Sequence, residues 1–328
     1  MNDLRTAGRG QATSTGAWPA VVLTGPTAAG KTALAIHLAE RGPFDVISVD
    51  SAMIYRGMDI GTAKPDPEVL ARVPHALVDI CDPAQAYSAG RFVEDALGAM
   101  ERSRRVGRVP LLIGGTALYL KALQRGLAPL PTADGEMRAR LDAQALTEGW
   151  PALHRELAGV DPAAAARIHP NDAQRIQRAL EVWHLTGTPL SVLQDATEAP
   201  SRAYTYLKYA VMPADRATLH ERIEQRLAQM LAAGLVEEVA ELFARGDLNE
   251  RMPSMRSVNY RQYWRHLKGE HSAAQAGEAA VQATRQLAKR QLTWLRADSA
   301  ICWLDSDSPS RYTSLMEKVE SALEEHQV

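Results

Sequence analysis

The chain has 328 residues, enough for one or two domains, with 46% apolar and 23% charged residues and a formal net charge of −2. No apolar run approaches the ~18 to 20 residues of a membrane helix, and two cysteines, Cys81 and Cys302, are too few for a disulfide framework or a Cys-based zinc site. The near-zero charge gives no global attraction to nucleic acid, so such a partner requires a local basic patch.

Residues 1–17 are rich in Gly, Thr, Ser and Ala and lack the apolar core of a secretion signal. They read as a disordered tail on a cytoplasmic, membrane-free protein whose two cysteines are buried or inert. Short apolar runs then predict strands at Val21 to Thr24, Val46 to Val49, Leu77 to Ile80, Pro110 to Ile113, Leu207 to Met212 and Ile301 to Leu304. Helical patterns separate most of them. Ser88 is placed to cap a helix through Phe92, Ala96 and Met100 towards Gly107, and Thr116 starts another that Gly126 ends. From Pro129 to about Pro200 the strand signal vanishes, and short helices capped by Asp134, by Asp161 with Pro162, and by Asn171 or Asp172 take its place. Long helices at Ala217 to Phe243 and Ala274 to Leu295 precede the last strand and a charged C-terminal helix.

Continuously apolar strands alternating with helices predict an α/β fold, a parallel sheet flanked by helices on both faces. The strand signal returns at Leu207, so the helical stretch interrupts one α/β domain. The expected boundaries are a core of 18–130 with 201–328 and a helical insertion at 131–200.

Gly25-Pro26-Thr27-Ala28-Ala29-Gly30-Lys31-Thr32 matches G-x-x-x-x-G-K-[ST], after a predicted strand and before a predicted helix. That context makes the sheet P-loop NTPase-like. Glycines let backbone N–H groups converge on phosphate oxygens, and the helix N-terminus adds partial positive charge. Lys31 supplies a mobile cation, Thr27 a side-chain hydrogen bond, and Thr32 a hydroxyl for Mg²⁺. The usual nucleotide partners are missing: the strand before Gly114-Gly115-Thr116 carries no carboxylate at its tip, and no Asn-Lys-x-Asp is present. A carboxylate stands instead at Asp50, ending the second strand, either as a base or as the cap of the next turn. On the residues alone, the reading is an ATP-dependent small-molecule kinase with Asp50 as base, and a nucleotide switch module is the rival outside enzymology.

A longer set of residues resembles the tRNA dimethylallyltransferase (isopentenyltransferase) family almost end to end. Beyond Gly25 to Thr32 it comprises the run Val49 to Pro65 (VDSAMIYRGMDIGTAKP), Ala86 to Ala89 (AYSA), Gly114 to Tyr119 (GGTALY), Asn171 to Ala179 (NDAQRIQRA) and Lys289 to Arg296 (KRQLTWLR). Two positions depart from it, Ala29 where the family often has Ser and Asn259 where it typically has Gly. Because Asn accepts positive φ less freely, a change of local backbone geometry is expected at Asn259.

The resemblance implies that the loop, Gly25, Thr27, Ala28, Ala29, Gly30, Lys31 and Thr32, grips the diphosphate of dimethylallyl diphosphate, with Mg²⁺ at Thr32. It implies prenylation of the exocyclic amine of the adenosine 3′ to the anticodon, with Asp50 as base and Thr116 positioning base or adenine. Arg222 and Arg226, four apart on one helix, are equally readable as a diphosphate clamp or as solvated surface. For the tRNA anticodon stem-loop, the implied contacts are Asp50, Ser51, Ala52, Met53 and Thr116 around the target base. Arg138, Gln174, Arg175, Ile176, Gln177 and Arg178 follow in the insertion, and Arg256, Arg261, Lys289, Arg290 and Arg296 near the C-terminal end. Helical spacing also sets Arg285 with Lys289 and Arg296. Each basic face taken alone is more often a solvated helix surface; only the resemblance reverses that reading to an RNA contact. The protein is expected to act as a monomer.

Overall fold

The structure, a computed structural model, describes residues 17–196 and 203–326. In chain order the elements begin β1 (Trp18–Thr24), α1 (Lys31–Arg41), β2 (Phe44–Val49), α2 (Pro67–Arg72), β3 (His75–Ala76), α3 (Ala89–Arg105), β4 (Val109–Gly114) and α4 (Ala117–Arg125). Five helices follow: α5 (Gly135–Glu148), α6 (Trp150–Val160), α7 (Pro162–Arg167), α8 (Ala173–Thr186) and α9 (Leu190–Asp195). The rest is β5 (Tyr204–Met212), α10 (Arg216–Ala232), α11 (Leu235–Ala244), α12 (Tyr260–Leu267), α13 (Ala273–Arg296), β6 (Cys302–Asp305) and α14 (Arg311–Glu325).

The strands form one parallel sheet in the order β3-β2-β4-β1-β5-β6. β1 and β4 are central and buried on both faces, which is why both read as unbroken apolar runs. Val21, Leu23, Val46, Leu111 and Val211 pack with Leu34 and Leu38 of α1 and with Leu315 and Val319 of α14 into the main core. This α/β fold is the one expected from the alternation of strand and helix signals.

The chain divides into two compact units, one of Met1–Tyr119 with Ser201–Val328 and one of Leu120–Pro200. The first holds the sheet. Within the second, Leu141, Leu153, Leu157, Ile176 and Leu180 form a separate core. Its helices start at the expected caps: Asp134 accepts from Met137 N at 2.7 Å, Asp161 from Ala164 N at 2.9 Å and Asp172 from Arg175 N at 3.2 Å.

Two expectations need correction. The strand expected at Leu77 to Ile80 is instead two residues, His75–Ala76, because Leu77 and Asp79 take positive φ (65° and 56°) and leave the ladder. Asp79 N and Ile80 N then bond Met53 O and Ile54 O, at 3.2 and 2.9 Å, so the run braces the 52–55 turn. The helix expected over Ala217 to Phe243 is two helices, α10 and α11, separated at Gly234, which caps α11 with φ 99°. Cys81 is buried, but Cys302 is only partly so. All but Ala17 of the expected tail lies outside the described residues.

Candidate active site

The strands β1, β2, β4 and β5 bring four segments to the carboxyl edge of the sheet, where ligands of open α/β folds bind. The loop from Gly25 to Gly30 leaves β1 and turns directly into α1. Gly25 has no room for a side chain, since a Cβ would lie 2.3 Å from Val211 O of β5. Gly30 caps α1 at φ 88° with no side-chain cap, so the first N–H groups of the helix, including those of Lys31 and Thr32, are left without one. Ala28 packs on the α10–α13 cluster of Leu219, Ile223, Ala288 and Leu292. The Ala29 N–H is turned inward to Pro26 O at 3.3 Å, and its side chain is fully buried. Ala29 therefore offers a bound anion neither group in this arrangement.

Lys31 Nζ donates to Gly25 O at 3.1 Å and Pro26 O at 2.7 Å, folding the amine back over the loop. Its pKa is lowered to about 8, first by desolvation and then by the charge of Arg226, with Asp50 opposing. Arg226 on α10 is likewise pushed down by burial and held up by Asp50. Two cations and one carboxylate thus lie within electrostatic reach of one another, each partly buried, and among the described residues the Arg226 side chain makes no hydrogen bond or ion pair. Arg222, one turn earlier, is engaged elsewhere: it donates to Ser306 Oγ at 2.8 Å and pairs closely with Asp307. The two arginines the sequence left level are therefore separated.

Asp50 follows β2. Its Oδ1 accepts from Ala52 N at 2.8 Å and Met53 N at 3.3 Å. Oδ2 has no partner among the described residues. One oxygen of Asp50 therefore caps the turn, as one of the two sequence readings expects, and its bonds orient the other oxygen. Thr116, after β4, accepts from Ser51 N at 3.1 Å through Oγ1 and approaches Ser51 Oγ at 3.4 Å, tying the β4 exit to the residue beside Asp50.

The segment after Asp50 is held by contacts that sequence reasoning missed. Glu238 of α11 accepts from Asp59 N, Ile60 N and Gly61 N at 2.8, 2.7 and 3.0 Å, and from Tyr260 OH at 2.6 Å. Lys64 donates to Tyr55 O at 3.0 Å and pairs closely with Asp59 and Asp79. Asn259 adopts φ 76° and ψ −55°, and its Nδ2 donates to Gly61 O at 2.8 Å. Gln291 of α13 bridges Thr27 N and Gly115 O. Distance in the chain hid the contacts of Glu238 with residues 59–61, of Asn259 and of Gln291, whereas the partners of Lys64 lie within 15 residues of it.

The expected RNA contacts fall into two groups. Ile176 is fully buried in the core of the helical unit, so its side chain is not available to a ligand. Arg138 and Arg178 both bond the buried carboxylate of Glu181, Arg138 Nε at 2.8 Å and Arg178 Nη1 at 2.6 Å, and Arg178 also donates to Pro131 O at 2.7 Å. Gln177 donates to Asp142 at 2.7 Å. Burial of Glu181 opposes its ionisation, but the hydrogen bonds from Arg138, Arg178 and Asp134 N prevail and lower its pKa. These residues build the helical unit. Arg175, by contrast, leaves 71% of its side chain exposed beside Asp172, and Gln174 and Arg256 are exposed too. On the sheet-containing unit Arg261, Lys289, Arg290 and Arg296 are exposed, and no hydrogen bond or ion pair of their side chains is present among the described residues. Arg285, expected on the same face, pairs closely with Glu224.

The described residues contain no group of three or more His, Cys, Asp or Glu side chains able to cage a metal, and no helix long and apolar enough to cross a membrane.

The sequence matches the IPP transferase family over residues 53–298 and the isopentenyl transferase family over residues 19–79. A tRNA dimethylallyltransferase of Thioalkalivibrio sulfidiphilus is 58% identical over 279 residues, 85% of this chain and 87% of that one. Among solved structures, the full-length tRNA isopentenylpyrophosphate transferase of Bacillus halodurans matches with a TM-score of 0.69 at 35% identity, covering 94% of this chain and 97% of that one. A eukaryotic dimethylallyltransferase acting on tRNA shares the fold with a TM-score of 0.75 at 23% identity, over 90% of this chain and 76% of that one. With one family matched across most of its length and a relative this similar across 85% of it, the chain belongs to the IPP transferase family, the tRNA dimethylallyltransferases.

Proposed function

We propose that the chain transfers the dimethylallyl group of dimethylallyl diphosphate to the exocyclic N6 amine of the adenosine 3′-adjacent to the anticodon, releasing diphosphate. The observation that carries this reading is the gathering of Lys31, Arg226 and Asp50 at the end of the phosphate loop, with Arg226 lacking a hydrogen-bonded anion of its own. A cation pair facing an uncapped helix N-terminus suits a dianionic or trianionic group, and diphosphate is the leaving group of an allylic donor.

In the transfer, the N6–C1 bond forms as the C1–O bond to diphosphate breaks. The loop N–H groups, Lys31 and Arg226 take up the charge that develops on the departing oxygen. The adenine amine is a weak nucleophile because its lone pair is delocalised, so a base that takes its proton assists. Asp50 Oδ2 is the acceptor, and the Ala52 and Met53 N–H groups hold Oδ1 so that the free oxygen keeps its aim. Thr116 acts through Ser51, fixing the backbone next to the acid. The target base must leave its stack to reach a group at this depth. Arg175, Arg261, Lys289, Arg290 and Arg296, all exposed, supply the cations for the anticodon stem-loop.

Mg²⁺ suits the donor set without a protein cage, since this ion keeps waters and takes most of its other ligands from substrate phosphates. Thr32 would hold it, and its chemistry there is neutralisation of charge on diphosphate. A monomer in the cytoplasm is the working form.

The kinase reading is not favoured, for the relatives that match across the chain's length are tRNA prenyltransferases by name. The test is to incubate purified protein with an unmodified tRNA transcript and labelled dimethylallyl diphosphate, with ATP as the competing donor. Label entering RNA from the prenyl donor alone is the expected result. Brisk ATP consumption with no alkylated transcript overturns the proposal.

A further inference from the structure

Gln291 lies on α13, 264 residues from Thr27 of the phosphate loop in sequence, and is 8% exposed. Its Oε1 accepts from Thr27 N at 2.9 Å, and its Nε2 donates to Gly115 O at 3.1 Å. One partner is a donor and the other an acceptor, so only this orientation of the carboxamide satisfies both. The fit is close. A Cβ on Gly115 would lie 2.3 Å from Gln291 Nε2 and 3.2 Å from Gly25 O, so three segments converge on the one amide.

The hydrogen-bonded path continues towards the acid. Thr116 follows Gly115, and its Oγ1 receives Ser51 N, next to Asp50. A connected line therefore runs from the phosphate loop through Gln291 and the β4 exit to the acceptor carboxylate. No other side chain does the same work: Glu has no donor when ionised, Lys has no acceptor, and Asn is one methylene too short for the span.

We propose that Gln291 is a positioning residue for the transfer reaction, setting the separation between the diphosphate-binding loop and the loop that carries Asp50. The inference rests on the diphosphate reading of the Gly25–Thr32 loop. By holding Thr27 N–H to itself, the amide also decides which loop N–H groups remain for the anion. Glu at this position would invert the pattern, setting a carboxylate against the Gly115 carbonyl and beside a polyanionic ligand. A protonated Glu, with one O–H donor and one carbonyl acceptor, would restore it.

The experiment compares full-length wild type with Gln291→Glu and Gln291→Met. It measures calorimetric affinity for inorganic diphosphate from pH 5 to 8, single-turnover prenyl transfer, and thermal midpoint. Gln291→Glu is expected to weaken diphosphate binding relative to wild type by about tenfold or more at pH 8, and by only about threefold or less at pH 5, where the new carboxyl protonates. Gln291→Met is expected to raise the donor KM about tenfold and to lower kcat at saturation, with no pH-dependent recovery. Taking each variant as a ratio to wild type cancels titrations common to both. A merely structural role would lower the thermal midpoint of both variants without the pH-dependent rescue of Glu. Variants that bind diphosphate as wild type does, or a Glu deficit that is flat across pH, overturn the inference alone. A wild-type protein that fails to bind diphosphate overturns the loop reading and this inference together.

Discussion

Lys31 shows how burial sets the working range of a single side chain. Desolvation and the neighbouring Arg226 lower its pKa from 10.5 to about 8, so the amine that should meet diphosphate is charged below that pH and loses its proton above it. The cost of burying the charge is present in full below pH 8 and fades as pH rises towards 10.5, so the free protein gains stability from this group over that window. Ligand binding runs the other way. Affinity for diphosphate is expected to fall as pH rises through about 8, and binding near pH 8 to take up protons as the anion restores the charge. Calorimetry in buffers of different ionisation enthalpy measures that uptake, and none at pH 8 to 8.5 would count against Lys31 as a ligand. For Asp50 the informative change is Asp50→Asn, which keeps Oδ1 for the Ala52 and Met53 N–H groups and removes only the carboxylate. Single-turnover transfer should slow by about 10²-fold or more with tRNA affinity little altered. An unchanged rate would remove Asp50 from the chemistry. At Asn259, where the family resemblance expects Gly, the backbone takes a positive φ of 76°, a region glycine enters freely, while Nδ2 bonds Gly61 O. Asn259→Ala keeps the strained backbone and deletes the bond, so a loss of about 1–3 kcal/mol is expected from denaturant midpoints.

At the scale of elements, what could be read in advance was what depends on neighbours in sequence. Helix starts at Ser88, Asp134, Asp161 and Asp172 were visible because a cap bonds an N–H two or three residues on. The central strands were visible because burial on both faces leaves an unbroken apolar run. The break between α10 and α11 was hidden, since the apolar stripe resumes after Gly234 and period alone does not mark the turn. The partners of the 51–65 segment were hidden for a different reason: Glu238 lies nearly 180 residues away and reads locally as an ordinary exposed helix glutamate. Its four bonds are all from donors, two on each oxygen. Glu238→Gln must therefore turn an NH₂ group onto at least one backbone N–H whichever way the amide faces, since only the Tyr260 hydroxyl can reverse its role. A loss of about 2–3 kcal/mol follows, read as a lower urea midpoint at unchanged m. A variant as stable as its parent would show that the carboxylate is not what holds residues 59–61.

Across the whole molecule, strand content was legible and strand order was not. The order β3-β2-β4-β1-β5-β6 is a property of packing, and it sets the tips of β1, β2, β4 and β5 side by side along one edge. The same limit applied to the basic residues. Arg175 and Arg178 are three apart on α8 and look equivalent in sequence, yet Arg178 bonds the buried Glu181 and Pro131 O while Arg175 is largely exposed. Their substitutions should separate cleanly. Arg178→Ala leaves Glu181 with Arg138 as its remaining ion-pair partner and should cost about 2–4 kcal/mol of stability, seen as a lower melting midpoint. Arg175→Ala should leave stability within about 0.5 kcal/mol and weaken tRNA binding, lowering the slope of log K against log salt by about 1. Arg290→Ala on α13 should lower the slope by a similar step, because each phosphate the protein no longer neutralises keeps its own counterions. If both exposed arginines meet phosphates, the double variant should show both steps, since counterion release depends on how many phosphates are neutralised and not on where the cations lie in the protein. A salt slope unchanged in the double variant would assign both side chains to bare solvated surface and shift the RNA contact to Arg261, Lys289 and Arg296.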